Sequence, residues 1–331
     1  MYLWQIRHIP NCWRNLIGFF GVLSFSLMAA WIAGSGIPAA RGQVDSPSSA
    51  EKNADSKAVD SAAAKAAADF MKNVHAALYA RTSIKADVEQ TVSIGTQQFR
   101  VDGQYLSSGQ KLRLEYTIRP DQGVAGSLLE VCDGKELWSM MKVGDVTRVT
   151  HRDVQQIKSA VAGIRNTPDV VLTAELGLGG LTALLASLER TMNYDAMKEE
   201  SGDGSSRMVV QGRWKPDVVS RWPRSKDDLL PVYVPDLVRI WVDPESMFPS
   251  RITYIKRVLE KDKKVYRPMV SLTFRNVEFD APVGDEEFTF VTPDNVVPED
   301  ITRQFLDRMK KSAEASTPAV KPAAPASPPK D

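Results

Sequence analysis

The chain has 331 residues, 43% hydrophobic and 25% charged, which is the make-up of an ordinary globular protein with room for one large core. Its formal charge of +1 hides an imbalance, because Arg7, Arg14 and Arg41 precede residue 43 with no accompanying acid. The remainder is slightly acidic, which excludes a nucleic-acid footprint.

Arg7 and Arg14 stand before an uncharged stretch, 16–37, and Ala40-Arg41-Gly42 places small residues at a cleavage site. The pattern predicts a secretory signal peptide over 1–42. An uncleaved anchor is the alternative, since the apolar run approaches the roughly 20 residues that span a bilayer. In either case the positive residues stay inside and the body of the chain is exported. Cys12 lies upstream of the apolar run, leaving Cys132 alone in the exported body, so the fold must be held by its core and not by a disulfide. Residues 43–58, rich in Ser, Ala, Asp and Lys, predict a solvated linker, and 312–331 a disordered Pro/Ala-rich tail. A single domain, 59–311, remains.

A helix is predicted from Val59 to Tyr79, with Phe70, Val74, Ala77 and Leu78 as its apolar stripe and His75 beside it. From Ile84 to His151 six strand-length segments follow. In Lys111–Ile118, Leu112, Leu114, Tyr116 and Ile118 share one face while Lys111, Arg113, Glu115 and Thr117 share the other. Ser108-Gly109, Asp133-Gly134 and Gly144-Asp145 supply hairpin turns. Asp153 caps a short helix to Ala162, and Gly177-Leu178-Gly179-Gly180 leads into a second, Leu181–Met192. Five strands then resume at Tyr194–Glu200, Arg207–Trp214, Leu237–Asp243, Arg251–Val258 and Met269–Phe279. The last shifts its apolar phase near Arg275, which predicts a bulge. Residues 216–236 carry four prolines and no period, and read as an excursion over the sheet edge or mouth. The fold class is α+β, with about eleven antiparallel strands.

Reactive constellations are missing from the sequence. His75 and His151 are far apart without metal-ligand spacing, and no nucleophile elbow, P-loop or dinucleotide fingerprint is present. No catalytic residue, metal ligand or cofactor is assigned, and an enzyme is not expected. The conspicuous feature is the apolar surplus of the sheet, which either makes a filled core or lines a site for a hydrophobic ligand. Met140, Met141, Met208 and Met269 suit an adaptable lining. By alternation the candidate lining residues are Val88, Val92, Phe99, Val101, Leu112, Leu114, Tyr116, Trp138 and Met140. The inward face of 135–143 is open by one register.

Asp133-Gly134-Lys135-Glu136-Leu137-Trp138 resembles the Asp-Gly-Lys-x-Leu-Trp hairpin of the LolA/LolB-type periplasmic lipoprotein carriers, and Phe288-Thr289-Phe290-Val291-Thr292-Pro293 resembles their terminal strand. The order of elements from about Ala66 to Pro298 is similar too. The resemblance implies a strongly curved, incomplete β-barrel with helices over its concave face, whose interior takes lipoprotein acyl chains or related lipids during transfer across the periplasm. It further implies a docking partner in the inner or outer membrane; separately, the apolar run itself would tether the protein to the inner membrane if 16–37 is retained. Gly177, Gly179 and Gly180 are then candidates for a lid hinge. Where the proteobacterial carriers place an Arg-Pro pair, this chain has Ser108-Gly109. A second reading of the same scaffold is an envelope sensor that binds lipoproteins or a membrane partner and signals through 216–236; a third is a structural protein with a filled core.

Overall fold

A computed structural model describes residues 54–95, 97–163, 180–202, 205–220, 222–261 and 263–316. The expected signal peptide, most of the linker, Gly177 and Gly179 lie outside the described residues. The first helix, α1 (Ala54–Ala80), begins five residues earlier than the sequence pattern suggests. A first meander follows: β1 (Ile84–Ile94), β2 (Gln97–Ser108), β3 (Lys111–Pro120), β4 (Gly126–Cys132), β5 (Glu136–Val143) and β6 (Val146–Asp153). Two helices, α2 (Val154–Gly163) and α3 (Leu181–Thr191), precede a second meander of β7 (Met192–Gly202), β8 (Ser205–Trp214), β9 (Leu237–Asp243), β10 (Phe248–Glu260) and β11 (Lys263–Phe279). The short α4 (Pro216–Val219) lies between β8 and β9, and β12 (Glu299–Asp300) and α5 (Thr302–Ser316) end the described chain.

The two meanders form one open sheet because β1 pairs antiparallel with β2 on one side and with β11 on the other. The order is β12-β6-β5-β4-β3-β2-β1-β11-β10-β9-β8-β7, twelve strands with β7 and β12 at the free edges. All neighbours are antiparallel except β12, whose two residues run parallel to β6. The expected count of eleven therefore describes the long strands, and the twelfth is too short to leave a period-2 signal. The predicted bulge is present. Opposite Lys85 and Asp87 the register on β11 runs from Glu278 to Arg275, and Asn276 turns left-handed at φ 49° while its amide donates to Asp87 Oδ2 at 2.7 Å.

Two expectations need correction. Phe288 ends a 3-10 turn, Asp285–Phe288, and not a strand, because Phe288 is drawn under Lys111 and the chain must coil to bury it. α5 runs on to Ser316, into the stretch expected as a tail. The 216–236 excursion is a docked segment: Val218, Trp222, Leu230 and Val234 are buried, and buried Lys256 on β10 donates to the carbonyls of Leu230 (2.9 Å) and Val234 (2.7 Å). Asp236 lies 3.3 Å from the same ammonium. Burial pulls the Lys256 pKa down while Asp236 opposes the shift.

The core sits on one face of this sheet. Ala67, Met71, Val74 and Leu78, spaced four, three and four apart, turn one side of α1 into it, and Leu181, Leu184, Leu185 and Leu188 do the same for α3. On the far flank α2 packs against β5 and α5, where Ile157, Phe305 and Met309 are buried. Among the described residues no helix is long and apolar enough to cross a membrane.

Candidate functional site

Alternation selects the concave face correctly over β1 to β3. Val88, Val92, Phe99, Val101, Leu112, Leu114 and Tyr116 are each 5% exposed or less and belong to one continuous apolar cluster with α1 and α3. Register explains the grouping. Val92 stands opposite Phe99, Tyr105 opposite Leu114, and Leu112 opposite Cys132, so the same pleat continues from strand to strand. Gly103 faces Tyr116 across β2 and β3, and a Cβ there would overlap the Tyr116 ring at 2.7 Å and the Glu115 carbonyl at 1.8 Å. The glycine is what lets that ring lie down on the sheet.

On β5 the other register holds. Cys132 pairs with Leu137, and Leu137 and Met141 join the core, so Trp138 and Met140 point to the convex side. There Trp138 stacks on His151 (centroids 4.7 Å apart) and on Phe290 (5.1 Å, planes 7° apart). The two stretches that carry the family resemblance therefore touch each other, on the outside of the sheet. Lys111 pairs with Asp285 and the Arg113 guanidinium donates to the Glu287 carbonyl at 3.2 Å, fixing residues 285–290 as a strap across that surface.

The concave face also carries polar groups. Glu130 takes the apolar phase between Leu128 and Cys132, and Arg152, opposite Leu137, shares the face; both are buried. Burial pushes the Tyr116 hydroxyl up, with the Glu130 charge adding to it, and the hydroxyl has no hydrogen-bond partner. Burial pulls Arg152 down, and Glu130 opposes that shift. Strict alternation of Leu128, Glu130 and Cys132 was the available signal for this charge. Cys132 itself is buried and its thiol pushed up, which makes it a packing residue.

The third hinge candidate, Gly180, lies where the cover meets the sheet. It adopts φ +28°, and a Cβ there would come 2.8 Å from the Tyr105 hydroxyl. That hydroxyl accepts the Leu181 N–H at 3.3 Å, tying the start of α3 to β2. At its other end α3 approaches α1 through Glu189, whose carboxylate is 3.1 Å from His75 Nδ1.

A cleft of about 780 Å³ opens at the β7 edge, between α1 and the α3–β7 junction. Met192 and Tyr194, both core residues, make its floor; Ala64, Ala68 and Lys72 make the α1 wall. Glu189, Asn193, Asp195 and Lys215 complete the rim. None of these was singled out from sequence, because they come from three elements and the turn after β8, without a shared local pattern.

No family model matches the sequence, and no curated protein matches it. Solved structures similar to this chain include LprF from Mycobacterium bovis, at 16% identity over 66% of this chain and 95% of that one, TM-score 0.34. The Mycobacterium tuberculosis lipoprotein LppX is 15% identical over 66% of this chain and 98% of that one, TM-score 0.35. A Vibrio parahaemolyticus protein described as an outer membrane lipoprotein-sorting domain is 11% identical over 68% and 97%, TM-score 0.29. At these scores the functional reading rests on this chain's own geometry.

Proposed function

We propose that the protein is an exported, non-enzymatic carrier or chaperone that shields the acyl chains of lipoproteins or related lipids against the concave face of its sheet while they cross the periplasm. One observation carries this reading: an apolar face extends across an unclosed sheet and is covered by helices α1 and α3 instead of a second sheet. At about 0.8 kcal/mol per methylene, a long acyl chain in water costs on the order of 10 kcal/mol, so an aqueous shuttle has to bury it. A neutral hydrogen bond, Leu181 to Tyr105, holds the start of the α3 cover and is worth about 1 kcal/mol net. Most of the cover's remaining attachment is apolar, and a hydrocarbon chain can replace that contact in kind. Lipid extraction and mass spectrometry of the purified protein is the test. An acylated species present near one per chain is expected; a folded protein that carries none, and takes up no fluorescent fatty acid, would refute the reading.

A further inference from the structure

The cleft at the β7 edge joins two kinds of surface. Its floor, Met192 and Tyr194, is continuous with the apolar cluster of the concave face, while its rim is charged. Of the two rim carboxylates, Asp195 is held by cationic and polar partners, whereas Glu189 Oε1 is buried without a hydrogen bond. Asp195 accepts Arg213 Nε at 2.8 Å and Gln211 Nε2 at 3.0 Å, and Glu189 lies against His75. The two lysines are less committed. Lys215 Nζ donates to the backbone carbonyl of Glu189 at 3.2 Å, and Lys72 makes an exposed pair with Asp69, three residues away on the same helix, of the kind that contributes little. The Tyr194 ring runs from the cleft floor across Gly212 on β8, and its hydroxyl is buried without a hydrogen-bond partner. A buried donor left in that state carries a desolvation cost that an incoming acceptor would relieve.

We propose that this cleft receives the anionic, phosphate-bearing head group of an amphiphile whose hydrocarbon part lies against the concave face, with Lys72 and Lys215 on opposing walls and the Tyr194 hydroxyl beneath. The proposal rests on the carrier reading and adds a polar half to its site. Phosphate fits because Lys72, Lys215 and the Tyr194 hydroxyl are donors that can converge on one tetrahedral anion, each by a charge-assisted hydrogen bond. The placement also orients the ligand, with its head at the β7 edge and its tail running toward β1.

The experiment compares dodecyl phosphate, dodecanol and inorganic phosphate, each below any micelle threshold, by calorimetry on the full chain. Dodecyl phosphate is expected to bind about tenfold or more tighter than dodecanol, the gain of roughly one charge-assisted contact. In the Lys72→Gln/Lys215→Gln variant that preference should shrink to about twofold while dodecanol binding stays. Tyr194→Phe separates ligand contact from folding: it should weaken dodecyl phosphate by about fivefold yet leave the unliganded protein no less stable, since a buried unpaired hydroxyl is removed. Equal affinity for the phosphate and the alcohol in the unaltered protein would overturn the head-group site and leave the acyl-binding face standing. Binding of inorganic phosphate as tightly as dodecyl phosphate would reassign the cleft to a free anion and overturn the proposal. Failure of both dodecyl compounds to bind would sink the carrier reading together with it.

Discussion

The two faces of this sheet are both apolar in places, but they are covered by different means. On the convex side, over β3 to β6, the strap 285–290 is fixed by directional contacts: the Phe290–Trp138–His151 stack and the Lys111–Asp285 pair. On the concave side α3 lies over the sheet mainly through leucines, with the Leu181–Tyr105 hydrogen bond at its start and His75 near its end. Directional contacts specify one position, whereas apolar contact tolerates exchange of one hydrocarbon for another. On the proposed carrier reading, the difference separates a permanent cover from one that a lipid chain would displace.

The largest effect expected from breaking this contrast is at the docked excursion, the other fixed cover. Lys256→Met leaves Asp236 and two carbonyls without their buried ammonium and should cost about 3–5 kcal/mol in urea unfolding. Adding Asp236→Leu should return part of that loss, which the same denaturation series would read. Next in size is Gly180→Ala. Left-handed backbone and the 2.8 Å approach to Tyr105 predict a loss of about 1–3 kcal/mol and faster release of a fluorescent fatty acid. Unchanged release with lowered stability would show that the α3 start is not part of the moving cover. Trp138→Ala should cost roughly 0.5–1.5 kcal/mol from the lost stack beyond its area and leave fatty-acid exchange where it was. A change in exchange would show that the convex strap also gates the interior.

The smallest effect is electrostatic. Arg148 holds the Glu299 carboxyl below the ordinary range, and hydrogen bonds from Thr302 do the same for Asp300. A depressed folded pKa means the unfolded chain binds more protons in that window, so this stabilisation is complete above the ordinary carboxylate pKa and fades as pH falls through the lower folded values. Hydrogen exchange in 302–310 should be flat from pH 5 to 8, after correction for intrinsic rates, and accelerate in more acid solution. Acceleration already between pH 6 and 7 would contradict this assignment to the two carboxylates.

How far the sequence disclosed this arrangement varied with how one-sided each strand is. On β3 one face is apolar and the other charged, so Leu112, Leu114 and Tyr116 were readable and are buried as a group. On β5 both faces are covered, the inner by the core and the outer by the strap, so Leu137, Trp138, Met140 and Met141 form nearly a continuous apolar run with no phase to read. That is why Trp138 and Met140 were assigned to the wrong side. Phe288 and Phe290 imitate a strand because alternate residues are apolar, although tertiary burial of Phe288 is satisfied from a 3-10 turn. The β7 cleft was invisible because Lys72, Glu189 and Lys215 are brought together only by folding.

A photoactivatable fatty acid bound to the protein, crosslinked and mapped by peptide mass spectrometry, tests the central claim most directly. The concave-face account predicts label on residues of β1 to β3 and α3, such as Val101, Leu114 and Leu185. Label concentrated on Trp138, Met140 and the 285–290 strap, or no specific label on a folded protein, would contradict it.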